Sequence, residues 1–296
     1  MTLSGTFSRA AAALLATVAV SIAAPGSGPA SAVQTVANPA SSMPSPAVDP
    51  GERPAYHAPR QRPWAHGPAR AGAYNYYYAE ANQDFASGAF RTRLAATFTV
   101  HHPAQVVNNS TRADHSLGEM AVRAPHLKFT YVEAGWLQSG TKTKPQLFVF
   151  WWRNGNGHCY NFGCGFVRAG KGIRPGSALS PGTKIRIAWS HHDHKWWLSV
   201  NGKTSGYYPD KLWDGKFTKA EGVQIFGEVA VRKGYRDCDD MGNGRRPGNP
   251  KAARVFDVSY NNGTVGLSKG NVTAPNRYDL TLTGNGSFRY GGPGIC

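Results

Sequence analysis

The sequence lacks the signals of several common protein classes. It contains no long stretch with the 3.6-residue apolar period of an amphipathic helix and no internal repeat, which excludes a helical bundle and a solenoid. It has neither the G-x-S-x-G motif of many serine hydrolases nor a nucleic-acid-binding motif. After the first 24 residues, no apolar run comes close to spanning a bilayer. We therefore expect no membrane partner and no helical core.

Acidic residues are scarce relative to basic ones. The chain has 17 Asp and Glu against 33 Lys and Arg, which gives a formal net charge of +16. Such a charge favours anionic partners in general. The basic residues are scattered along the sequence rather than clustered, so we expect a generally basic surface and no specific binding of nucleic acid.

The N-terminus is organised like an export signal. Arg9 precedes an apolar run over residues 11–24, and a small-residue stretch ends in Ala30-Ser31-Ala32. We therefore predict a signal peptide over residues 1–32 and a secreted, extracellular protein. Residues 33–70 are rich in Pro, Ala, Ser and Arg, and we expect a disordered tail or a short pro-segment there.

Only four cysteines are present, and an exported protein meets an oxidising environment. Four cysteines imply two disulfides with three possible connectivities. Cys159 and Cys164 are close enough in sequence to close a local loop, which would leave Cys238 to pair with Cys296. His158 beside Cys159 offers a zinc site as an alternative, but the spacing matches no standard zinc motif. We predict no metal and no cofactor.

Short strand signals fill the domain that we predict over residues 71–296, which we expect to be a monomer. Runs rich in aromatic and β-branched residues alternate with Gly and Asn turns. The clearest runs cover residues 91–99, 127–137, 146–152, 223–231 and 288–292 and the hairpin 184–200. Many short strands with frequent turns predict an all-β fold, an antiparallel β-sandwich of two sheets.

Two of the six glutamates lie in the middle of strongly apolar strands. Glu133 is part of FTYVEAGWL and Glu228 is part of VQIFGEVAV. A buried carboxylate without partners is unfavourable, and such groups concentrate at functional sites. Each glutamate also has a glycine beside it or two residues away, which we interpret as space for a substrate backbone. A solvent-facing position would explain one isolated glutamate better than two.

Further motifs surround these glutamates in a fixed order. They are VEAGW (132–136), FVFWW (148–152), CYNFGCGFV (159–167), WWLSVNGKTSGYYPDKLW (196–213), GEV (227–229) and YGGPG (290–294). With these motifs the chain resembles the neprosin family of glutamic peptidases over essentially residues 74–296. The resemblance implies a concanavalin-like sandwich and prolyl endopeptidase activity at acid pH. It also implies catalytic roles for Glu133 and Glu228 and the disulfides Cys159–Cys164 and Cys238–Cys296.

The expected mechanism uses no metal. Two carboxylates close together do not both ionise easily, so one keeps its proton at acid pH. The ionised one takes a proton from the attacking water, and the protonated one donates a proton to the peptide or protein substrate. We expect the substrate to contact Tyr131, Trp136, Gln224 and Phe226. The family that the chain resembles usually has Trp-Gly-Gly before its second glutamate, where this chain has Ile225-Phe226-Gly227, so we expect the substrate-binding surface to differ there.

Two other functions fit part of the sequence. A glycoside hydrolase also places two carboxylates in an aromatic cleft. A non-catalytic carbohydrate- or wall-binding module would explain the aromatic residues and the charge, but not two glutamates within strands. A possible metal site at His191, His192 and His194 lies at the predicted hairpin tip, where we expect a solvated turn instead.

Overall fold

The fold is described by a computed structural model over residues 74–86, 91–104, 114–124, 126–127, 129–139, 142–154, 156–157, 160–163, 165–261 and 263–295. The predicted signal peptide, the predicted tail over 33–70 and three of the cysteines, Cys159, Cys164 and Cys296, lie outside these residues. Within them, no helix has the length and apolar character needed to cross a membrane.

The first sheet brings together strands from both ends of the described chain. It consists of β1 (Tyr74–Asp84), β3 (His115–Arg123), β4 (Tyr131–Ser139), β5 (Gln146–Arg153), β6 (Asn156–Gly157), β11 (Gly222–Arg232) and β14 (Ser268–Val272). Their order is β14-β1-β11-β3-β4-β5-β6, and every pair is antiparallel. The late strand β11 therefore lies between β1 and β3.

The second sheet is also antiparallel throughout. It consists of β2 (Arg93–Thr99), β7 (Val167–Arg168), β8 (Lys184–His192), β9 (Lys195–Val200), β10 (Lys203–Pro209), β12 (Ala253–Tyr260), β13 (Gly263–Thr264), β15 (Asp279–Gly284) and β16 (Ser287–Gly291). The order is β15-β16-β12-β2-β8-β9-β10-β7, with β13 paired to β12. A 3₁₀ helix over Asp210–Trp213 follows β10. The predicted antiparallel sandwich of two sheets is confirmed.

Large aromatic side chains fill the space between the sheets. Trp189 stacks on Tyr208 with 5.9 Å between ring centroids, and Trp151 packs edge-on against Trp213 at 5.4 Å. All four rings belong to one buried cluster to which both sheets contribute. Burial of each such side chain contributes about 1.5–3 kcal/mol. This core fixes which face of each sheet points inward.

The first sheet is buried on both faces, not only on the face that meets the core. Every residue of β3 is buried, and β4, β5 and β11 are buried except at their ends. An antiparallel sheet more commonly leaves one face in water. The outward face carries its own aromatic cluster, which includes Tyr76, Tyr78, Phe150, Trp152 and Phe226. The candidate site lies among these residues.

Candidate active site

Glu133 and Glu228 lie on the same face of the first sheet, the one turned away from the second sheet. Glu228 on β11 is level with Leu117 on β3, which is level with Leu137 on β4. Leu137 and Glu133 are four residues apart on β4, so their side chains point to the same side. Both glutamates are buried, with 4% and 3% of their surface exposed. The sequence analysis expects the two carboxylates close together; the structure places them on one sheet face with one strand between them.

One strand separates the two glutamates, and it carries a third. Strand spacing of about 4.8 Å and a rise of about 3.3 Å per residue would put the Cα atoms of Glu133 and Glu228 about 16 Å apart on a flat sheet. Glu119 on β3 lies midway, level with Phe226 and Gly135, and is 2% exposed. It is a diagonal neighbour of both glutamates, at about 7–8 Å, a span that long side chains bridge. The face thus carries a row of three buried carboxyl groups.

The carboxylate of Glu133 is held by a neighbouring strand. The indole Nε1 of Trp152 on β5 donates a hydrogen bond to Oε2 of Glu133 at 3.0 Å, and both groups are buried. A hydrogen bond within a protein contributes about 0.5–1.5 kcal/mol net. The indole nitrogen is a donor only, so this contact fixes one carboxylate oxygen as an acceptor.

The carboxylate of Glu228 contacts a buried histidine. Nε2 of His115, the first residue of β3, lies 2.8 Å from Oε1 of Glu228, and the two side chains are 1% and 3% exposed. A buried carboxylate next to an imidazole gains either a hydrogen bond or an ion pair, depending on the charge of the ring. The two glutamates are therefore held by chemically different partners.

His115 and Glu119 were not predicted as site residues from the sequence. Both lie on β3, which carries no alternation of apolar and polar residues because both of its faces are buried. The available signal was the period-two series His115, Leu117, Glu119 and Ala121, which places a histidine and a glutamate on one face once the strand is known. A fourth buried glutamate, Glu80 on β1, shares the face and accepts a hydrogen bond from Asn82.

Aromatic side chains flank the row of glutamates. Phe226 lies between Glu228 and Gln224 on the same face of β11 and packs edge-on against Tyr78 at 5.8 Å. On the other side, Phe150 and Trp152 pack together at 5.4 Å, and the half-buried Tyr131 joins the same cluster. Three of the four predicted substrate contacts, Tyr131, Gln224 and Phe226, therefore lie on the face of the glutamates.

The fourth predicted contact, Trp136, is wrong. Trp136 is three residues from Glu133, so its side chain points to the opposite face. It is fully buried in the core between the sheets and packs edge-on against His101 at 6.0 Å. Its position excludes contact with a substrate on the outward face.

The glycines near the glutamates serve packing, which corrects our interpretation of them as space for a substrate. A Cβ atom on Gly227 would lie 2.4 Å from the ring of Tyr290, on the core side of β11. A Cβ atom on Gly135 would lie 2.1 Å from the backbone oxygen of Gly118 on β3. Real Cβ atoms do not approach other atoms this closely. The space is therefore already filled by the protein.

Tyr208, in the core, lies within electrostatic reach of Glu133. Burial raises the pKa of Tyr208 well above its usual value, and the negative charge of Glu133 raises it further. Tyr208 lies between the sheets, whereas Glu133 lies on the outward face. When Glu133 is ionised, its charge reaches Tyr208 because the buried sheet between the two groups holds little water that could screen it.

The histidines of the hairpin have contacts of their own. Nε2 of His191 lies 2.9 and 3.1 Å from the two carboxylate oxygens of Asp210, and this contact ties the hairpin to the 3₁₀ helix. His192 stacks on Trp197, and His194 is exposed. In the described part of the chain, no three His, Cys, Asp or Glu side chains form a group that could hold a metal ion.

Cys238 is the one cysteine among the described residues, and it takes part in a disulfide. The backbone N–H of Ile295 donates to the carbonyl oxygen of Asp237 at 2.7 Å. A Cβ atom on Gly294 would lie 2.1 Å from the backbone of Cys238. The C-terminal segment therefore runs beside Cys238, which favours Cys296 as its partner. The pairing of Cys159 with Cys164 falls outside the described residues and stays a prediction.

Comparison with known proteins gives one family match and several weak structural similarities. The family model described as Neprosin matches residues 112–293, more than half of the chain. A scytalidoglutamic peptidase with a transition state analog inhibitor is 10% identical, with a TM-score of 0.46 over 73% of this chain and 98% of that one. SCP-B of the eqolisin family of peptidases, bound to a tripeptide, is 10% identical, with a TM-score of 0.41 over the same shares. Chicken galectin 2 is 7% identical, with a TM-score of 0.30 over 52% of this chain and 98% of that one.

Proposed function

Because this chain belongs to the Neprosin family, we propose that it is a glutamic peptidase whose catalytic carboxyl groups are those of Glu133 and Glu228. The observation that carries the proposal is the pair of buried glutamates on one sheet face, each in contact with a buried nitrogen of its own partner. The substrate is a peptide or protein, and neither a metal nor a cofactor takes part.

The different partners of the two glutamates support different roles. His115 lies against Glu228, and a positive or donating imidazole stabilises the ionised carboxylate. Glu228 is therefore the base that takes a proton from the attacking water. Glu133 is surrounded by Phe150 and Trp152 and accepts a hydrogen bond from a neutral indole. This apolar setting favours the protonated form, so Glu133 donates a proton to the substrate.

Glu119 lies between the base and the acid. Glu119 is a diagonal neighbour of both groups on the sheet. This position supports a role in passing a proton from Glu228 back to Glu133 after each cycle. Without such a link, each proton taken from water by Glu228 would have to leave the buried face through solvent. In each cycle, Glu133 gives one proton to the leaving amine and Glu228 takes one proton from water. The number of protons on the three carboxyl groups is therefore unchanged after the cycle.

We further propose cleavage next to proline and action outside the cell. The resemblance of the motifs to prolyl endopeptidases supports the first, together with the rings of Phe226 and Tyr78 beside Glu228, which suit a flat apolar side chain. The export-type N-terminus over residues 1–32 supports the second. Residues 33–70 would then be a tail or a pro-segment of the exported chain.

The test exchanges each carboxyl group for an amide of the same shape. Glu133→Gln and Glu228→Gln are each expected to lower kcat by about 10²–10⁴-fold on a proline-containing peptide, because each removes one partner of acid–base catalysis. The double variant should be little worse than either single one. Glu221→Gln, at a partly exposed glutamate outside the row, is the matched control and should keep full activity. Thermal unfolding verifies that all variants are folded.

The same preparation separates the proposal from its rivals. Activity measured between pH 2 and 8 with EDTA present should follow a bell-shaped curve in the acid range, since one carboxyl group must be ionised and the other protonated. Loss of activity to EDTA, or a plateau that extends through pH 8, would contradict the two-glutamate mechanism. Cleavage of xylan or glucan with no cleavage of peptide would instead identify a glycoside hydrolase.

A further inference from the structure

The outward face of the second sheet, on the far side of the sandwich from the glutamates, collects cations from five strands. We call it the basic face and define it by six side chains, Arg93 on β2, Lys184 and Arg186 on β8, Lys195 on β9, Arg254 on β12 and Arg289 on β16. The residues that alternate with them, such as Leu94, Ile185 and Val255, point into the core. The basic residues are therefore clustered in space although they are scattered in sequence.

The charge of the basic face is offset from within only in small part. None of the six cations forms an ion pair among the described residues. Three carboxylates border the face. Asp279 on the edge strand pairs with Lys269. Asp193 at the hairpin tip contacts His192 and also lies within electrostatic reach of Lys195. Asp257, at the bulge of β12, is exposed, and its backbone oxygen accepts a hydrogen bond from Arg186.

Several of these cations are held in fixed positions by neutral partners. The guanidinium of Arg186 donates to the hydroxyl groups of Thr97 and Ser259 at 3.2 and 3.0 Å. Lys184 and Arg254 both lie over the ring of Phe256, at 5.4 and 5.0 Å from its centroid. Cation–π contacts and neutral hydrogen bonds order a side chain but leave its positive charge available to a ligand.

A second cation–π group lies on β9 and β10. Lys195 lies 5.5 Å from the ring centroid of Trp197 and 5.2 Å from that of Tyr207. Each large ring of the basic face thus already has a cation against it. A nucleic acid that binds by stacking its bases needs rings with free faces. The face therefore suits a polymer that carries charge but no bases.

We propose that the basic face binds a linear phosphate-bearing polymer without bases. Cations two residues apart on one strand, such as Lys184 and Arg186, are spaced by about 6.6 Å along it. Arg254 and Arg289 are directly paired across β12 and β16. This lattice of fixed charges matches a repeating anion, and a guanidinium binds phosphate through two parallel hydrogen bonds. Binding on this side leaves the face with the glutamates open to substrate.

The experiment titrates labelled inorganic polyphosphate into the protein at several salt concentrations. The test variant neutralises the three exposed cations of the face, Arg93→Gln, Lys184→Gln and Arg254→Gln. The matched control removes the same charge elsewhere through Lys216→Gln, Lys233→Gln and Lys251→Gln, all at exposed positions. A third variant keeps the charge, with Arg93→Lys, Lys184→Arg and Arg254→Lys.

We expect the test variant to lose at least about tenfold in affinity and its salt slope to fall by about 2, since each lost phosphate contact contributes about 0.7 on a single strand. The control and the charge-keeping variant should bind nearly as tightly as the parent. Equal loss in the test and control variants would overturn the proposal, because binding would then follow net charge alone. So would tighter binding of oligo-thymidylate of matched charge, or no binding of polyphosphate at 0.15 M salt.

Discussion

His101 is expected to destabilise the folded chain as the medium becomes acidic. Burial lowers the pKa of its imidazole from 6.5 to about 4. The ring lies edge-on to Trp136 at 6.0 Å, and its Nε2 lies 2.6 Å from the hydroxyl oxygen of Thr99. Because the folded pKa lies below the unfolded one, the unfolded chain binds more protons between pH 6.5 and pH 4. Stability therefore falls as the pH drops through this range.

The magnitude follows from the difference between the two pKa values. A separation from 6.5 to about 4 corresponds to about 3 kcal/mol of folding free energy, which is fully lost below the folded pKa. The ring is only partly buried, so water screens part of this effect, and we expect about 2 kcal/mol. His101→Gln removes the titrating group and keeps a hydrogen-bonding partner for Thr99. The substitution also removes the ring contact with Trp136, which lowers the free energy of unfolding by about 0.5–1.5 kcal/mol at every pH.

The measurement is urea unfolding at pH 7 and pH 4. Between pH 7 and pH 4, the free energy of unfolding of the parent should fall by about 2 kcal/mol more than that of His101→Gln. This holds whatever the difference in stability between the two proteins at pH 7. His102→Gln is the matched control, because His102 is adjacent but exposed, and it should follow the parent. Parallel losses in the parent and in His101→Gln would refute the reasoning, since the buried ring would then not be forced to stay neutral.

Three further outcomes follow from contacts already described. His115→Ala should lower stability by about 3–5 kcal/mol and strongly reduce activity, because it removes the imidazole from the buried Glu228. His115→Gln should recover part of the stability, measured by unfolding, and part of the activity, measured as a rate. Gly135→Ala should lower the melting temperature by several degrees, because the added methyl group meets the backbone of β3, whereas Gly248→Ala, with open space around it, should change it little. Reduction of the disulfide at Cys238 should cost about 2–4 kcal/mol of stability, and non-reducing peptide mapping that links Cys238 to a residue other than Cys296 would contradict the predicted pairing.

The strands predicted from the sequence are those with a strong apolar or alternating pattern. β5, β8, β9 and β11 lie within a residue or two of their predicted bounds. β4 begins four residues later than predicted, at Tyr131, because Phe129 has a φ of 43° and lies outside the strand region. Of the strands with six residues or more, β1, β3, β10, β12 and β15 were missed. β1 is rich in polar residues, and β3 combines Gly, Ala, Ser and Glu, which have low strand propensity.

The missed strands explain which site residues were missed. Glu133 and Glu228 could be recognised because their strands are strongly apolar and because the motifs around them are specific. Glu119 and His115 could be placed on the same face only through the pairing of β3 with β4 and β11. Trp136 was misplaced because a motif names neighbours in sequence, whereas a strand sends alternate neighbours to opposite faces. The basic face was hidden for a related reason, since its strands are distant in sequence.

The position of β11 between β1 and β3 also sets an order of events during synthesis. A ribosome makes β3 about a hundred residues before β11, one of its two neighbours, whereas the other neighbour, β4, follows β3 directly; β11 falls in the last quarter of the chain. Until β11 is made, no strand links β1 to β3. Pairing between strands so far apart in sequence is slow. Glu228 therefore takes its place beside Glu119 and His115 only when translation is nearly finished. The proposed catalytic pair is therefore incomplete in any chain that ends before β11.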